Sequence, residues 1–118
     1  MTPEFGKLDK EITSFIDEYV NSFIKWDLIT FFSYNPDAMG TAADIASRLG
    51  RAEKDAEKAL EDLVRKDLLK KQSEGKKTLY SYEPSDELKA KAASFVQCLE
   101  DRTKRLQILA KLLRMRSE

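Results

Sequence analysis

The sequence predicts a mainly α-helical fold in one domain, with a three-helix core and one β-hairpin. Residues 41–66 hold two segments with apolar residues at helical spacing, separated by Gly50. Residues 68–72 and 78–82 have the composition of two strands, joined by a turn that contains Gly75. A chain of 118 residues with 42% hydrophobic side chains is the size of one globular domain.

Both ends of the first helix in this central stretch are marked in the sequence. The Thr41 hydroxyl can cap the N-terminus, and Asp44 supplies the reciprocal carboxylate. Gly50 then ends the helix, because glycine takes the left-handed conformation that a helix C-terminus commonly needs. A second amphipathic helix is predicted over residues 51–66, with its apolar positions at Ala56, Ala59, Leu60 and Leu63. Two helices joined by a tight turn and followed by a β-hairpin form a helix-turn-helix with a wing.

Residues 22–83 resemble the winged-helix domains of small prokaryotic transcriptional regulators of the MarR, PadR and ArsR kind. The resemblance is carried by the apolar positions of the second helix and by residues 25–32, 35–36, 42–46, 49–50 and 66–69. It implies a three-helix core with a hairpin wing, and a regulator that binds double-stranded DNA. Winged helices also serve as protein-binding modules, so a protein partner without DNA binding is the alternative.

Helical arms are predicted on both sides of this core. Residues 1–21 form the N-terminal arm, with an amphipathic helix over 8–20, and the sequence leaves open whether that helix breaks at Asn21-Ser22 or runs on to Phe32. Residues 23–34 are expected to form the buried central helix, which ends before Pro36. A short extended link over residues 38–40 leads to the Thr41 cap.

Residues 84–118 are predicted to form one long C-terminal helix that mediates homodimerisation. Ser85 caps its start, and the rest of the segment contains no Gly or Pro. At ~1.5 Å per residue the helix would be on the order of 45 Å long, more than the core needs for cover. A seam with heptad spacing, typical of a coiled coil, runs along it: Leu88, Ala92, Phe95, Leu99, Arg102, Leu106, Leu109 and Leu113.

The composition excludes several kinds of site. Histidine is absent and there is one cysteine, so no disulfide within the chain, His-based zinc site or Cys–His nucleophile pair can form. With no Gly-rich phosphate loop and no cluster of catalytic residues, we predict no enzyme, cofactor or metal. No apolar run approaches the ~18 residues that span a membrane, and no signal-peptide pattern is present, so we expect a cytoplasmic protein.

The charge pattern bears on the expected DNA partner. Lys+Arg and Asp+Glu number 21 each, whereas a non-specific nucleic-acid binder is usually strongly basic. The resemblance implies that the first two turns of the second motif helix face the major groove: Arg51, Glu53, Lys54, Asp55, Glu57 and Lys58. Lys54, Lys58 and Arg65 suit phosphates or salt bridges along the helix. Lys76 and Lys77 suit phosphate contact, although lysines also protect exposed strand edges.

An acidic stripe on the second motif helix departs from the family pattern. Glu53, Glu57 and Glu61 follow one another at a spacing of four residues. Carboxylates near phosphates are repelled, although Glu can accept a hydrogen bond from cytosine N4. The stripe therefore leaves open that this helix binds a protein partner.

Three further features have a structural interpretation that we favour over a functional one. Cys98 is expected to be a partly buried small hydrophobe rather than a redox switch. An aromatic set is expected in the core rather than in an effector pocket: Trp26, Phe31, Phe32 and Tyr34. A C-terminal basic cluster is expected to cover a coiled-coil flank rather than to bind DNA: Arg102, Lys104, Arg105, Lys111, Arg114 and Arg116.

Overall fold

Six α-helices and three short strands make up residues 8–116, the part of the chain that the computed structural model describes. The helices are α1 Lys10–Phe15, α2 Phe23–Tyr34, α3 Ala42–Leu49, α4 Glu53–Arg65, α5 Asp86–Cys98 and α6 Arg102–Arg116. The strands are β1 Met39–Gly40, β2 Leu69–Glu74 and β3 Lys77–Tyr82. The mainly helical class with a β-hairpin is therefore confirmed.

The strands form one antiparallel sheet in the order β1-β3-β2. The hairpin ladder runs from the pair of Leu69 with Tyr82 to the pair of Glu74 with Lys77, which is longer than predicted. The reason is the tight two-residue turn, in which Gly75 takes a positive φ of 64°. Pairing can therefore continue to Glu74 and Lys77, which flank the turn. The expected link before α3 is strand β1, in which Met39 pairs with Ser81.

Local signals set both ends of α3 as predicted. The Thr41 hydroxyl accepts a hydrogen bond from the Asp44 amide at 3.1 Å, and the Asp44 carboxylate accepts one from the Thr41 amide at 3.4 Å. This reciprocal capping box satisfies amides that the helix itself leaves free. Gly50 ends α3 in the left-handed conformation, with φ 66° and ψ 36°. Helix α4 begins two residues later than expected, at Glu53.

The apolar side of α4 lies at the centre of the hydrophobic core. Leu60 and Leu63 are fully buried, and Ala56 and Ala59 beside them are also buried. Around them pack apolar residues of α2, the hairpin and α5: Leu28, Ile29, Phe32, Leu69, Tyr80, Tyr82, Ala92 and Phe95. Of the aromatic set on α2, only Phe32 is fully buried, and Tyr34 is 59% exposed. The core expectation thus holds for Phe32 and fails for Tyr34.

The N-terminal helix breaks where the sequence left the question open. Helix α1 continues as a π-helical turn over Ile16–Val20, and Asn21 then ends it. The Ser22 hydroxyl accepts a hydrogen bond from the Lys25 amide at 3.2 Å and so starts α2. Ile16 and Val20, at the two ends of the π turn, are both buried in the core.

The prediction of one uninterrupted C-terminal helix was wrong. Helix α5 starts at the expected Ser85 cap but ends at Cys98, and a turn over residues 99–101 separates it from α6. The Asp101 carboxylate accepts from the Lys104 amide at 3.1 Å, and the Arg105 guanidinium donates to the Leu99 carbonyl at 2.9 Å. These two bonds satisfy backbone groups that a break in a helix exposes, so the turn forms without Gly or Pro.

The break divides the predicted dimerisation seam into two unlike halves. In its first half Ala92, Phe95 and Leu99 are buried in the chain's own core and Leu88 is half-buried, so these residues are not available to a second copy. In its second half Arg102 is exposed, and Leu106, Leu109 and Leu113 are 53%, 36% and 50% exposed. Helix α6 instead buries Ile108 and Leu112. The seam therefore does not form one surface.

No helix within residues 8–116 combines the length and the apolar character needed to cross a membrane.

Candidate nucleic-acid interface

The predicted groove-facing residues of α4 form an exposed polar surface. Glu53, Lys54, Glu57 and Lys58 are all exposed, because the buried residues of α4 occupy its opposite side. Among the residues that the structure describes, neither Lys54 nor Lys58 forms an ion pair. Asp55 is exposed as well.

Arg51 forms an ion pair with Asp27 of α2. It lies before the first turn of α4, and its Nε and Nη2 atoms donate to Asp27 Oδ2 at 2.9 and 2.5 Å. Two charge-assisted bonds to one carboxylate hold the side chain against α2. A contact from Arg51 to DNA would require this pair to break, although Arg51 is exposed and lines the same cavity as Asp55 and Lys58.

The acidic stripe is shorter in the structure than in the sequence. Glu61 accepts hydrogen bonds from Lys71 Nζ at 2.7 Å and from the Tyr80 hydroxyl, which joins α4 to both hairpin strands. The bond from Lys71, followed by the bond from Tyr80, lowers the pKa of Glu61. Burial and then the hydrogen bond to Glu61 raise the pKa of Tyr80. Only Glu53 and Glu57 remain exposed, while Glu61 braces the hairpin against α4.

The lysines of the hairpin differ in their surroundings. Lys71 is paired with Glu61, as described, whereas Lys76 lies in the turn and Lys77 opens β3 opposite Glu74. Both turn lysines are exposed, and neither forms an ion pair within residues 8–116. Strand β2 packs against α4, so the hairpin projects from the same unit that carries Lys54 and Lys58.

A buried lysine that the sequence analysis did not single out holds α2 against α4. Lys25 is 9% exposed, and its Nζ donates to Asp62 Oδ2 and, at 3.1 Å, to Asn21 Oδ1. Arg65 donates to the other Asp62 oxygen at 2.6 Å. The hydrogen bond from Lys25 is the main cause of a lowered pKa of Asp62. The signal in the sequence was a lysine flanked by the apolar residues Phe23, Ile24 and Trp26, and a lysine that is buried is almost always paired.

The free energy of unfolding is expected to depend on pH through Asp62. A carboxylate with a lowered pKa stabilises the fold above the ordinary aspartate value of about 3.9, and this contribution is lost as the pH falls through the folded-state pKa. Asp62→Asn should therefore lower the free energy of unfolding by roughly 1–3 kcal/mol near neutral pH, because Lys25 keeps a buried charge without its carboxylate. The free energy of unfolding of this variant should also fall less steeply as the pH is lowered through the acid range. The check is urea unfolding across the acid range.

Asp55→Asn is the matched control for this measurement, since Asp55 is exposed on the same helix and forms no ion pair within residues 8–116. Equal pH profiles for the two variants would contradict a special role of Asp62.

The remaining predicted features contribute little to a site. Cys98 is half-buried, and burial raises the pKa of its thiol, which disfavours the reactive thiolate. Of the C-terminal basic cluster, Lys111 pairs with Asp17 at 2.9 Å and Arg105 is held by the Leu99 carbonyl. Within residues 8–116, no group of three or more cysteine or acidic side chains is arranged to hold a metal ion.

Comparison of the chain with protein-family models, with curated proteins and with solved structures found no match. The structure itself defines a mainly helical protein with a small antiparallel sheet. Exposed lysines lie on the first two turns of α4 and at the hairpin turn.

Proposed function

We propose that the chain is a winged-helix protein that binds double-stranded DNA and regulates transcription as a homodimer. Helices α2, α3 and α4 with the β2–β3 hairpin have the element order of that fold, and β1 adds its third strand. In this assignment α4 enters the major groove and the hairpin is the wing. The exposed side of α4 would then face the groove, while the buried side of α4 stays in the core.

One observation carries the DNA assignment: four lysines on two adjoining elements are exposed and unpaired among residues 8–116. They are Lys54 and Lys58 on α4 and Lys76 and Lys77 at the hairpin turn. Exposed ammonium groups without a carboxylate partner can neutralise phosphates at no cost of breaking an ion pair. Lys25, Lys71 and Lys111, in contrast, are already paired within the chain.

The exposed carboxylates of α4 have a place in this proposal. Glu57 lies one turn beyond Glu53 on the exposed side of the helix. A glutamate in the major groove can accept a hydrogen bond from cytosine N4, so these residues would select bases rather than add affinity. Because the chain carries no net charge, affinity would come from the unpaired lysines of this surface and not from the charge of the whole molecule.

A winged-helix module that binds a protein and not DNA is the second candidate. Glu53 and Glu57 would then meet basic groups of a partner protein. Glu61 is already bonded to Lys71 and Tyr80, so an acidic contact surface would consist of two carboxylates. That is a small patch for specific recognition of a protein.

The DNA assignment is tested by measuring the binding of random duplexes of about 20 base pairs at low salt, with fluorescence anisotropy as the readout. We expect a dissociation constant below ~10 µM, within the range of non-specific DNA binding. Replacing Lys54, Lys58, Lys76 and Lys77 together by Gln should remove that binding. The matched control replaces four exposed basic residues elsewhere that form no ion pair within residues 8–116: Lys10, Lys89, Arg102 and Lys104. If the parent protein binds no duplex, the protein-binding candidate replaces the regulator.

Helix α6 supports the homodimer, because it is apolar on two sides. Ile108 and Leu112 are buried against the chain, while Leu106 and Leu109 lie exposed on the other side. A helix with apolar residues on both sides normally buries both. The structure of one copy covers only the inner side, so we assign the outer side, and not the seam from Leu88 to Leu99, to the contact with a second copy.

The dimer is expected to strengthen with salt. Residues 102–116 include six basic and no acidic side chains, so two α6 helices repel each other until salt screens them. Sedimentation at tens of micromolar protein should show a dimer whose fraction rises as the salt concentration is raised. Leu106→Lys with Leu109→Lys should give monomers, whereas Met39→Lys, at an exposed apolar side chain of β1, should not. A monomer at every salt concentration would refute the dimer.

A further inference from the structure

The exposed side of α6 carries a row of leucines with an arginine at each end. Leu106, Leu109 and Leu113 are exposed, Arg102 precedes Leu106 by four residues, and Arg116 follows Leu113 by three. All five therefore share the alternating spacing of four and three that keeps residues on one side of a helix. We call these five residues the arginine–leucine stripe. At ~1.5 Å per residue the stripe is about 21 Å long, the length of two heptads.

The positive charge of the stripe is not compensated within the part of the chain that the structure describes. Arg102 and Arg116 are exposed, as is Arg114 beside them, and none of the three forms an ion pair among residues 8–116. Helix α6 as a whole has six basic and no acidic side chains. A surface that combines exposed leucines with unpaired arginines is complementary to one that combines apolar side chains with carboxylates.

A second copy of α6 matches the stripe in its apolar residues but not in its charge. It brings the same leucines together with the same six positive charges. Like charges that face each other across an interface weaken binding unless salt screens them. An acidic helix would meet the same leucines and would pair with the arginines instead of repelling them.

An anionic lipid surface is a poorer match than an acidic helix. A helix that lies in the membrane interface buries a broad apolar side in the boundary between head groups and acyl chains. The exposed apolar row of α6 is narrow, because Ile108 and Leu112 on the other side of the helix are buried in the chain's own core. The charged groups are arginines, whose planar guanidinium suits bidentate pairing with a carboxylate.

We propose that the arginine–leucine stripe docks an acidic amphipathic helix of a partner protein. Apolar residues of the partner at heptad spacing would pack on the leucines, and its flanking carboxylates would form charge-assisted hydrogen bonds with Arg102 and Arg116. Because the stripe holds one helix at a time, this partner and a second copy of the chain exclude each other. The inference rests on the proposed function only for that competition, since docking itself requires neither DNA nor a dimer.

The test uses a synthetic acidic helix of about 21 residues, three heptads with leucines in the seam and glutamates on both flanks. Calorimetry with the full chain at low salt, without DNA, should give a dissociation constant below about 100 µM. Two control peptides should bind at least about tenfold more weakly: one with every glutamate replaced by glutamine, and one with the same composition in scrambled order. Equal affinity for either control peptide, or no binding of the acidic helix, would overturn the proposal.

A vesicle experiment separates the acidic helix from a lipid surface. The chain should not sediment with phosphatidylcholine vesicles that contain phosphatidylglycerol at lipid concentrations up to about 1 mM. If the chain binds these vesicles and the acidic helix does not compete with them, the stripe serves a lipid surface and the proposal is wrong.

Matched variants place the peptide on α6. Arg102→Glu with Arg116→Glu should weaken binding of the acidic helix at least about tenfold, because both flanking pairs become repulsive. Lys89→Glu with Lys104→Glu makes the same change in net charge at exposed lysines outside the stripe that form no ion pair within residues 8–116, and it should leave the affinity within about twofold. Equal losses in the two variants would show a general attraction of charge and would refute the site.

Salt separates this docking from the dimer. Added salt should weaken binding of the acidic helix, because the two helices attract each other by charge, whereas it should strengthen the dimer. Peptide binding that survives without any duplex binding would remove only the proposed function. Duplex binding and a dimer without peptide binding would remove only the docking of an acidic helix.

Discussion

Affinity for duplex DNA is expected to fall on the order of a thousandfold between about 50 and 200 mM salt. Each copy would present Lys54, Lys58, Lys76 and Lys77 to phosphates, and a dimer would therefore make about six to eight such contacts. Every neutralised phosphate releases counterions, and this release becomes less favourable as salt is added. Anisotropy titrations at several salt concentrations measure the slope directly.

Variants of the hairpin and of α4 should act on different aspects of this binding. Lys76→Ala with Lys77→Ala should weaken binding to all sequences alike and flatten the salt slope by about one unit for each lost contact. Glu57→Gln should change the preferred sequence if Glu57 accepts from a base, and should only tighten binding if it repels phosphates. An affinity that does not change with salt would contradict phosphate contacts and with them the DNA assignment.

Truncation of Leu60 or Leu63 to Ala is expected to cost roughly 2–5 kcal/mol of the free energy of unfolding. Both side chains are fully buried on α4 between α2, α3 and the hairpin. The lost methyl groups leave a cavity that the surrounding helices and sheet cannot close completely. Urea unfolding should show a lower midpoint with an unchanged slope.

Met39→Ala is the control for these truncations, because Met39 is 51% exposed. The free energy of unfolding of this variant should fall by no more than about half a kilocalorie per mole, as for most surface substitutions. A loss that small at Leu60 or Leu63 would mean that α4 does not pack through this side.

The parts of the fold that local chemistry determines could be predicted from the sequence. The Thr41–Asp44 capping box and the left-handed Gly50 involve residues close together in the chain, so residue type and spacing are enough to identify them. The buried side of α4 could also be predicted, because helical periodicity places its four apolar positions on one side.

The parts that depend on distant residues could not be predicted in the same way. Heptad spacing is identical in an unbroken helix and in two helices, and it does not reveal that Ile108 and Leu112 of α6 are buried in the chain's own core. Likewise, a charged residue on a helix does not reveal its partner. From the sequence alone Arg51 is a candidate for DNA contact, but in the fold it is bonded to Asp27. Glu61 has the sequence pattern of a surface carboxylate, but in the fold it accepts a hydrogen bond from Tyr80.

The turn over residues 99–101 has a consequence for how copies of this chain can associate. Helix α6 is tied to α5 by three residues without Gly or Pro, and it packs on its own chain through Ile108 and Leu112. If the turn straightens, α5 and α6 become one rod, and the same inner side of α6 can dock on a neighbouring copy instead. Such an exchange of arms creates no new contact and is governed by protein concentration and by the free energy of the turn.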